Sequence, residues 1–233
     1  MSDATRRYRD GTMDTSPRPM ARTFKPRRRR LGSQRSAVYE RLTPLFALSE
    51  TGSFLDLDEV FAGRHPICVE IGSGNGDLAS LYAQTHPRAG LIAIDVHRPG
   101  IARLLADIDS DGLDNLRVVE GDALNFIDRL PDASVDEVWA FFPDPWPKNA
   151  QAHRRLVTPE RIARVARVLK PGGSLRLATD VATYATQMRK VLAADSNFVS
   201  VKDERPSWRI ETHFEREGRE RGRAAVDLCA TRQ

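Results

Sequence analysis

Five acidic side chains fall at or next to the ends of successive apolar segments of the sequence. They are Glu70, Asp95, Asp122, Asp144 and Asp180. The apolar segments have strand character and alternate with helix-like segments, a pattern that predicts a mainly parallel sheet. Because the carboxyl ends of parallel strands meet along one edge of a sheet, where ligands bind, we expect these carboxylates to line one crevice.

A glycine-rich turn follows the first of these carboxylates. Gly72, Gly74 and Gly76 alternate with other residues, which lets the backbone turn sharply and approach a ligand closely. A dinucleotide-binding turn has its third glycine three positions after the second and holds a pyrophosphate. Here the third glycine comes two positions after the second, and Glu70 stands two positions before the first. A carboxylate at that point repels phosphate but suits an ammonium and a sulfonium, so the turn predicts S-adenosylmethionine. A purely structural turn stays open as the alternative.

Two further carboxylates could bind the rest of such a cofactor. Asp95 ends the second predicted strand, where a carboxylate can accept hydrogen bonds from both ribose hydroxyls. Asp122 ends the third strand and could accept from an adenine amino group. Either could instead be a helix N-cap, where Asp is common. Together with Lys170-Pro171-Gly172-Gly173 before the fifth strand, these segments resemble the class I S-adenosylmethionine methyltransferases.

The fourth predicted strand runs into an unusual loop, Phe141-Phe142-Pro143-Asp144-Pro145-Trp146-Pro147-Lys148. Its prolines fix the backbone and exclude a helix, which predicts a rigid loop. Such a loop could hold a flat base against a methyl donor, because transfer requires close and aligned atoms. Phe141 and Phe142 continue a buried strand and favour core positions. Trp146 is equally compatible with the core and with stacking on an unpaired base.

Asp144 is the strongest candidate for a residue that takes part in the reaction. A guanine offers its N1–H and its exocyclic amino group as paired donors, and one carboxylate can accept both. N7 of guanine already carries a lone pair and loses no proton on methylation. Methyl transfer to N7 of a guanine would therefore need orientation of the base and compensation of its positive charge, but no general base. A nearby carboxylate meets both needs.

Several segments together are similar to one protein family. The string Phe141–Lys148, with Arg154-Arg155, Ala178-Thr179-Asp180 and Thr212–Glu215, resembles the bacterial tRNA (guanine-N7-)-methyltransferases. The resemblance implies a cytoplasmic enzyme that methylates N7 of the guanine in the tRNA variable loop. It also implies roles for individual residues. The expected cofactor contacts are Glu70, Gly72, Gly74, Asp95 and Asp122, the active-site acid is Asp144, and the substrate-binding residues are Lys148, Arg154, Arg155, Asp180, Thr212, Phe214 and Glu215.

Other interpretations stay open. Lys148 could be a solvated charge, the two arginines could form ion pairs, and Asp180 could cap a helix. The enzyme could act on another RNA position or on a small molecule, or the chain could bind tRNA without catalysis. The glycine spacing disfavours a dehydrogenase. Asp95 also departs from the family, in which many members have Glu at this position.

The charge of the chain is unevenly distributed. The net charge is +4, but the first 30 residues hold ten Arg or Lys and three Asp, so the remainder is acidic. This segment is poor in apolar residues and contains the run Arg27–Arg30. We therefore expect residues 1–30 to form a disordered basic tail that favours a polyanion such as nucleic acid. A merely solubilising tail is the alternative.

Residues 31–233 are expected to form a single methyltransferase domain. The resemblance implies a Rossmann-like α/β fold with a mainly parallel seven-stranded sheet, flanking helices and an antiparallel last strand. An amphipathic helix is predicted over Ser33–Leu48. No apolar run is long enough for a membrane span. Cys68 and Cys229 lack the spacing of metal ligands, so neither a metal site nor a disulfide is expected.

Overall fold

Seven strands form one sheet in the computed structural model, which describes residues 21–24 and 31–233. The strands are β1 (Ile67–Ile71), β2 (Gly90–Asp95), β3 (Leu116–Glu120), β4 (Val135–Phe141), β5 (Leu169–Thr179), β6 (Phe198–Asp203) and β7 (Val226–Arg232). Their order across the sheet is β3-β2-β1-β4-β5-β7-β6. Strands β1 to β5 are parallel, and β7 is antiparallel to both of its neighbours. The predicted sheet is confirmed.

The helices connect these strands and cover both faces of the sheet. They are α1 (Ser33–Phe46), α2 (Leu57–Phe61), α3 (Asp77–Thr85), α4 (Arg98–Asp111), α5 (Ala123–Ile127), α6 (Pro159–Val168), α7 (Ala182–Ala194) and α8 (His213–Glu220), with a 3-10 helix over Asn149–Arg154. Local sequence explains several of the ends. Pro159 opens α6, where its fixed φ suits the first turn, and Gly112 ends α4 in the left-handed conformation. The predicted helix from Ser33 ends at Phe46, two residues early.

Alternation along the strands divides the core between the two faces. Ile67, Val69 and Ile71 of β1 pack in the cluster that includes α5, α6 and α7. Cys68, between them, belongs to the opposite cluster, which includes α1, α3 and α4. Successive side chains of a strand point to opposite faces, so a strand that is apolar at every position must be covered on both sides. The sheet is thereby held rigid beneath the edge at which its parallel strands end.

Strand β5 begins earlier than expected. The sequence predicted a break at Lys170–Gly173 before the strand, but Leu169 already pairs with Val135, and the ladder resumes at Ser174 opposite Glu137. The intervening residues form an irregularity within the strand. A Cβ at Gly173 would lie 2.9 Å from the carbonyl oxygen of Asp136, so the close approach of the two backbones requires glycine there.

The two cysteines are free and buried. Burial raises the pKa of the Cys68 thiol far above its ordinary range. Within residues 21–24 and 31–233, no helix is long and apolar enough to cross a membrane. The same residues contain no group of three or more His, Cys, Asp or Glu side chains arranged to hold a metal ion.

Candidate active site

Glu70 lies at the centre of the sheet, on the strand between β2 and β4. It pairs in register with Ala93 on one side and Trp139 on the other. The side chain is 4% exposed, and its Oε2 has no hydrogen-bond partner among the described residues. Burial, together with the charge of Asp95, raises the pKa of Glu70 to about 8. A buried acceptor without a partner is costly, so this position suits a ligand that brings a donor.

Asp95 holds the glycine-rich turn against the end of β2. Its Oδ2 accepts a hydrogen bond from the Gly74 amide over 2.7 Å, and its Oδ1 accepts one from the His97 amide over 2.7 Å. Gly72 and Gly74 have φ values of 82° and 60°, in the left-handed region that favours glycine. A carboxylate has about four lone-pair sites, so each oxygen of Asp95 can still accept a further donor.

Gly100, in the first turn of α4, was not singled out from the sequence. A Cβ on this residue would collide with the carbonyl oxygen of Gly74. Helix α4 can therefore approach the turn only because residue 100 is glycine. The turn is fixed from two sides, by the Asp95 carboxylate and by this close backbone contact.

Asp122 follows β3 and acts locally as a helix cap. Its Oδ1 accepts from the Leu124 amide over 2.9 Å, which makes Asp122 the N-cap of α5. The backbone amide of Asp122 donates to Oε2 of Glu50, a residue that sequence reasoning missed. The end of β3 thus carries two carboxylates rather than one, and Glu50 reaches it from the loop that precedes α2.

The crevice fits S-adenosylmethionine. The partnerless Glu70 oxygen can accept from an ammonium group, and Ser73 Oγ is a second buried polar atom without a partner among the described residues. Apart from its chain neighbours, no described atom lies within 4 Å of the place that a Cβ would take at Gly72, so the space above the turn is open among the described residues. Asp95 and Asp122 supply acceptors farther along the same edge, as the hydroxyls and amino group of a nucleoside require.

The acceptor loop, residues 142–148, leaves β4 through two residues in unusual conformations. Phe142 has φ 55° and Trp146 has φ 42°, a region that non-glycine residues rarely adopt. Asp144 lies between them, half-buried, and its carboxylate has no protein partner among the residues described. Trp146 is 3% exposed and lies under Arg154 and residues 21–24. Lys148 is exposed, and no described residue pairs with it.

Arg155 holds the acceptor loop by its backbone. Its Nε donates to the Pro145 carbonyl over 2.7 Å, its Nη2 donates to the Trp146 carbonyl over 3.2 Å, and its Nη1 donates to Gln187. All three donor nitrogens are thus used inside the protein. The contacts favour a structural function for Arg155, whose predicted contact with tRNA stays a prediction.

Residues 21–24 lie against the same loop and accept hydrogen bonds from Trp146, Arg154 and Arg161. Arg154 stacks on Trp146 with its Cζ 3.8 Å from the ring centroid and donates to the carbonyls of Arg22 and Phe24 over 3.1 and 3.3 Å. Trp146 Nε1 donates to the Thr23 carbonyl over 2.9 Å. Arg161, which is buried in α6, donates a hydrogen bond to the Ala21 carbonyl over 2.6 Å.

The predicted disordered tail therefore includes an anchored segment, residues 21–24. Each of its four backbone carbonyls accepts a hydrogen bond from a side chain of the folded domain. Residues 1–20 and 25–30, including the run Arg27–Arg30, lie outside the described residues, and their disorder stays a prediction.

Helix α8 packs against the end of β5. A Cβ at Gly218 would lie 2.5 Å from Oδ2 of Asp180, and the same oxygen accepts from Arg223 Nε over 2.7 Å. Thr212 is the N-cap of α8, because its hydroxyl accepts from the Glu215 amide over 3.3 Å. Two predicted substrate residues thus contact α8: Asp180 lies against Gly218, and Thr212 caps the first turn.

The first turn of α8 presents its side chains in two directions. Phe214 is 47% exposed, and its Cε2 would lie 3.8 Å from a Cβ at Gly74, so its ring lies beside the glycine-rich turn. Glu215 points inward and pairs with Arg205 and Arg209. Although burial opposes ionisation, the hydrogen bonds from these two arginines hold the pKa of Glu215 below its ordinary value.

Comparison with known proteins decides the family. A family model described as "Putative methyltransferase" matches residues 64–228. A tRNA (guanine-N(7)-)-methyltransferase of Streptomyces avermitilis is 39% identical over 217 residues, which cover 91% of this chain and 75% of that protein. One of Alkalilimnicola ehrlichii is 41% identical over 225 residues, which cover 92% and 93%. The chain belongs to the tRNA (guanine-N(7)-)-methyltransferase family.

Solved structures support the fold of this family member. The crystal structure of the 16S rRNA methyltransferase KamB superposes with a TM-score of 0.56 at 17% identity, covering 78% of this chain and 95% of that one. At this identity the likeness concerns the fold alone. The predictions of a class I methyltransferase and of S-adenosylmethionine as its methyl donor are confirmed.

The predicted site residues of this family member fall into two groups in the structure. Its predicted cofactor residues Glu70, Gly72, Gly74, Asp95 and Asp122 come together at the ends of β1, β2 and β3. On the acceptor side, Arg154, Arg155 and Glu215 bind other parts of the protein. Glu50, Gly100 and Arg209 were missed, and only Gly100 has a signal in the sequence, as a glycine at the start of a predicted helix.

Proposed function

We propose that this chain transfers the methyl group of S-adenosylmethionine to N7 of the guanine in the tRNA variable loop. The observation that carries the acceptor assignment is the Asp144 carboxylate, which is half-buried and has no partner among the described residues. It stands in a loop that leaves the strand adjacent to the one bearing Glu70. An acceptor for paired N–H donors therefore lies beside the cofactor crevice.

Bound S-adenosylmethionine would supply an electrophilic methyl group on its sulfonium. Asp144 accepts the N1–H and the exocyclic amino group of the guanine, and so fixes the base in its plane. Transfer of the methyl group to the N7 lone pair would break the methyl–sulfur bond and leave a neutral thioether, and N7 loses no proton. The ring gains positive charge as the bond forms, and the nearby Asp144 carboxylate stabilises that charge in a partly dry site.

The cofactor residues have separate tasks in this proposal. Glu70 accepts from the ammonium group, Asp95 accepts from the ribose hydroxyls, and Asp122, with Glu50 beside it, lies at the adenine end. Asp95 also keeps the Gly74 amide in place, so it shapes the turn as well as contacting the ligand. Binding energy at these three points orients the methyl group toward the acceptor loop.

Recognition of tRNA is assigned to the exposed residues of the acceptor side. Lys148 is exposed without a protein partner in the described part of the chain, so it can meet a phosphate. The half-exposed ring of Phe214 can stack on an unpaired base. Thr212 and Asp180 already contact α8, because Thr212 caps its first turn and Asp180 lies against Gly218. The proposed substrate places the enzyme in the cytoplasm.

The basic tail is proposed to bind the tRNA backbone from beside the acceptor loop. Arg27 follows the anchored Phe24 by three positions in the sequence, and Thr23 accepts a hydrogen bond from Trp146 of the acceptor loop. Replacement of Arg27–Arg30 by glutamine should weaken tRNA binding and flatten its salt dependence, since each phosphate contact contributes a slope of about −0.7 to −0.9. Replacement of Arg6, Arg7 and Arg9 by glutamine is the control. An unchanged salt slope in the first variant would refute a phosphate-binding tail.

A methyl-transfer assay tests the proposed reaction. Labelled S-adenosylmethionine is incubated with an unmodified tRNA transcript and with one whose variable-loop guanine is replaced by adenine. Wild type should label only the first transcript, as 7-methylguanine, and Asp144→Asn should lose about 100-fold or more in kcat. Label at another position would refute the substrate assignment. Cofactor binding without transfer to any tRNA would favour a small-molecule acceptor or a binding protein without catalysis.

A further inference from the structure

Arg209 is a fully buried cation next to the acceptor loop. Its side chain is 0% exposed, and its charge is matched by two carboxylates. Nε and Nη2 donate to the two oxygens of Asp227 over 2.6 and 2.8 Å. Nη1 donates to Oε2 of Glu215 over 2.8 Å. Arg205 adds a second, partly exposed contact to Glu215 over 2.5 Å.

The partners of Arg209 belong to parts of the fold that are far apart in the chain. Asp227 is on β7 and pairs in register with Ala178 near the end of β5. Glu215 is in the first turn of α8. The guanidinium carbon also lies 5.2 Å from the ring centroid of Phe141 and 5.6 Å from that of Phe142. One planar cation thus joins the sheet, α8 and the start of the acceptor loop.

The contact with Phe142 bears directly on Asp144. Phe142 has a positive φ and precedes Asp144 by two residues. Its amide donates to the Ala178 carbonyl over 2.8 Å, which fixes the backbone at the point where the loop turns away from β4. A cation against the Phe142 ring holds the side chain of the same residue. Arg209 therefore constrains the exit direction of the loop that carries the acceptor carboxylate.

The contact with Glu215 orients the first turn of α8. Its carboxylate is 11% exposed and bonded to two arginines, so it faces the protein and not the open crevice. The preceding residue, Phe214, consequently faces outward beside Gly74. A buried ion pair gains little stability over well-packed apolar groups, but it does fix relative geometry. By holding Glu215, Arg209 thus fixes the position of the Phe214 ring.

We propose that Arg209 is a positioning residue that fixes the acceptor loop, which carries Asp144, relative to the first turn of α8, which carries Phe214. In this arrangement Glu215 is the counter-charge of Arg209 and not a ligand of tRNA. The inference rests on the proposed methyl transfer to guanine. It differs from the assignment that the family resemblance implies for Glu215.

Steady-state kinetics on the full chain distinguishes a Glu215 that positions Arg209 from a Glu215 that binds tRNA. Arg209→Lys retains the charge but loses the bidentate and planar contacts, and Glu215→Gln retains the shape but loses the charge. Both should lower kcat by about 10- to 100-fold, because small misplacements of reacting groups have effects of that size. The KM for tRNA and the Kd for S-adenosylmethionine should stay within about threefold. Arg189→Ala, which breaks an exposed pair with Asp203, is the control for loss of a surface arginine.

A double variant completes the test. If Arg209 and Glu215 act as one unit, Arg209→Lys with Glu215→Gln should be no slower than the slower single variant. Thermal melting and cofactor binding identify a variant that has failed to fold, in which case the milder Glu215→Gln decides. A raised KM for tRNA with unchanged kcat in Glu215→Gln would overturn the inference. Absence of transfer by wild type would instead refute the proposed function itself.

Discussion

The free protein should bind S-adenosylmethionine more tightly as the pH rises through the neutral range. Glu70 is buried, and its pKa lies at about 8, so the carboxyl is mostly protonated at pH 7. In the proposed binding mode the cofactor needs this carboxyl ionised, because a carboxylate stabilises an ammonium and a neutral acid does not. Binding must therefore release a proton from Glu70.

The size of the effect follows from the ionised fraction of Glu70. With a pKa of about 8, that fraction rises about tenfold between pH 6 and pH 7. The affinity should rise by about the same factor, and binding at pH 7 should release about 0.9 proton per cofactor. An α-amino group has a pKa of about 7.7–8.0, so the cofactor stays cationic within this window.

Isothermal titration calorimetry in two buffers with different ionisation enthalpies measures both the affinity and the released proton. Glu70→Gln is the matched variant, since it keeps the shape of the side chain and cannot ionise. It should bind more weakly and with a shallower pH dependence, and any dependence that it retains comes from other groups such as Asp95. A flat affinity in wild type, or the same slope in both proteins, would refute the reasoning.

The same pKa has a consequence for stability without cofactor. The ordinary value is near 4.5, so the unfolded chain ionises Glu70 at a lower pH than the folded chain does. The contribution of Glu70 to the free energy of unfolding is thus fully present below about pH 4.5 and is lost as the pH rises through about 8. The loss approaches roughly 5 kcal/mol, from 1.36 kcal/mol per pKa unit. Urea unfolding of wild type and Glu70→Gln at pH 5 and pH 9 should show it.

Three further predictions follow from the site and the core. Asp95→Asn leaves one oxygen for two backbone amides, so it should weaken cofactor binding about tenfold and lower the free energy of unfolding by about 1–3 kcal/mol, as calorimetry and urea unfolding would show. Gly100→Ala should displace the turn at Gly74, with a loss of about 1–3 kcal/mol and of cofactor affinity. Gly32→Ala should lose less, because φ is −68° there and no described atom is near. The buried Cys68 and Cys229 should react with a thiol reagent only as fast as the protein unfolds.

The cofactor half of the site was predictable because it depends on local sequence. A strand, a glycine turn and the helix that follows are contiguous, and Glu70, Gly72 and Gly74 occupy them in order. The ends of β2 and β3 then come to the same edge by the topology of a parallel sheet. Glu50 was not predicted, because its contact with the Asp122 amide joins residues 72 positions apart. No periodicity in the sequence indicates such a pairing.

The acceptor half was harder to predict because its arginines lie in mixed-charge segments. An arginine among acidic neighbours in the sequence is expected to be a solvated surface charge. Arg209 is instead fully buried between Asp227 and Glu215. Adjacent arginines after a lysine read as phosphate ligands, yet Arg154 and Arg155 bind backbone carbonyls. Burial of a charge depends on which carboxylates and carbonyls the fold brings around it.

These inward-facing arginines fit the chemistry that the site must perform. Methylation at N7 requires no proton transfer, so orientation of the base is the main task left to the protein. The acceptor loop contains two non-glycine residues at positive φ, a conformation that persists only where the surroundings impose it. Arg155 binds the backbone of that loop, Arg154 covers Trp146, and Arg209 lies against Phe142. Three cations that could have met the tRNA backbone instead hold one strained loop in place. The proposed function accordingly assigns the contacts with tRNA to Lys148, Phe214 and the basic tail.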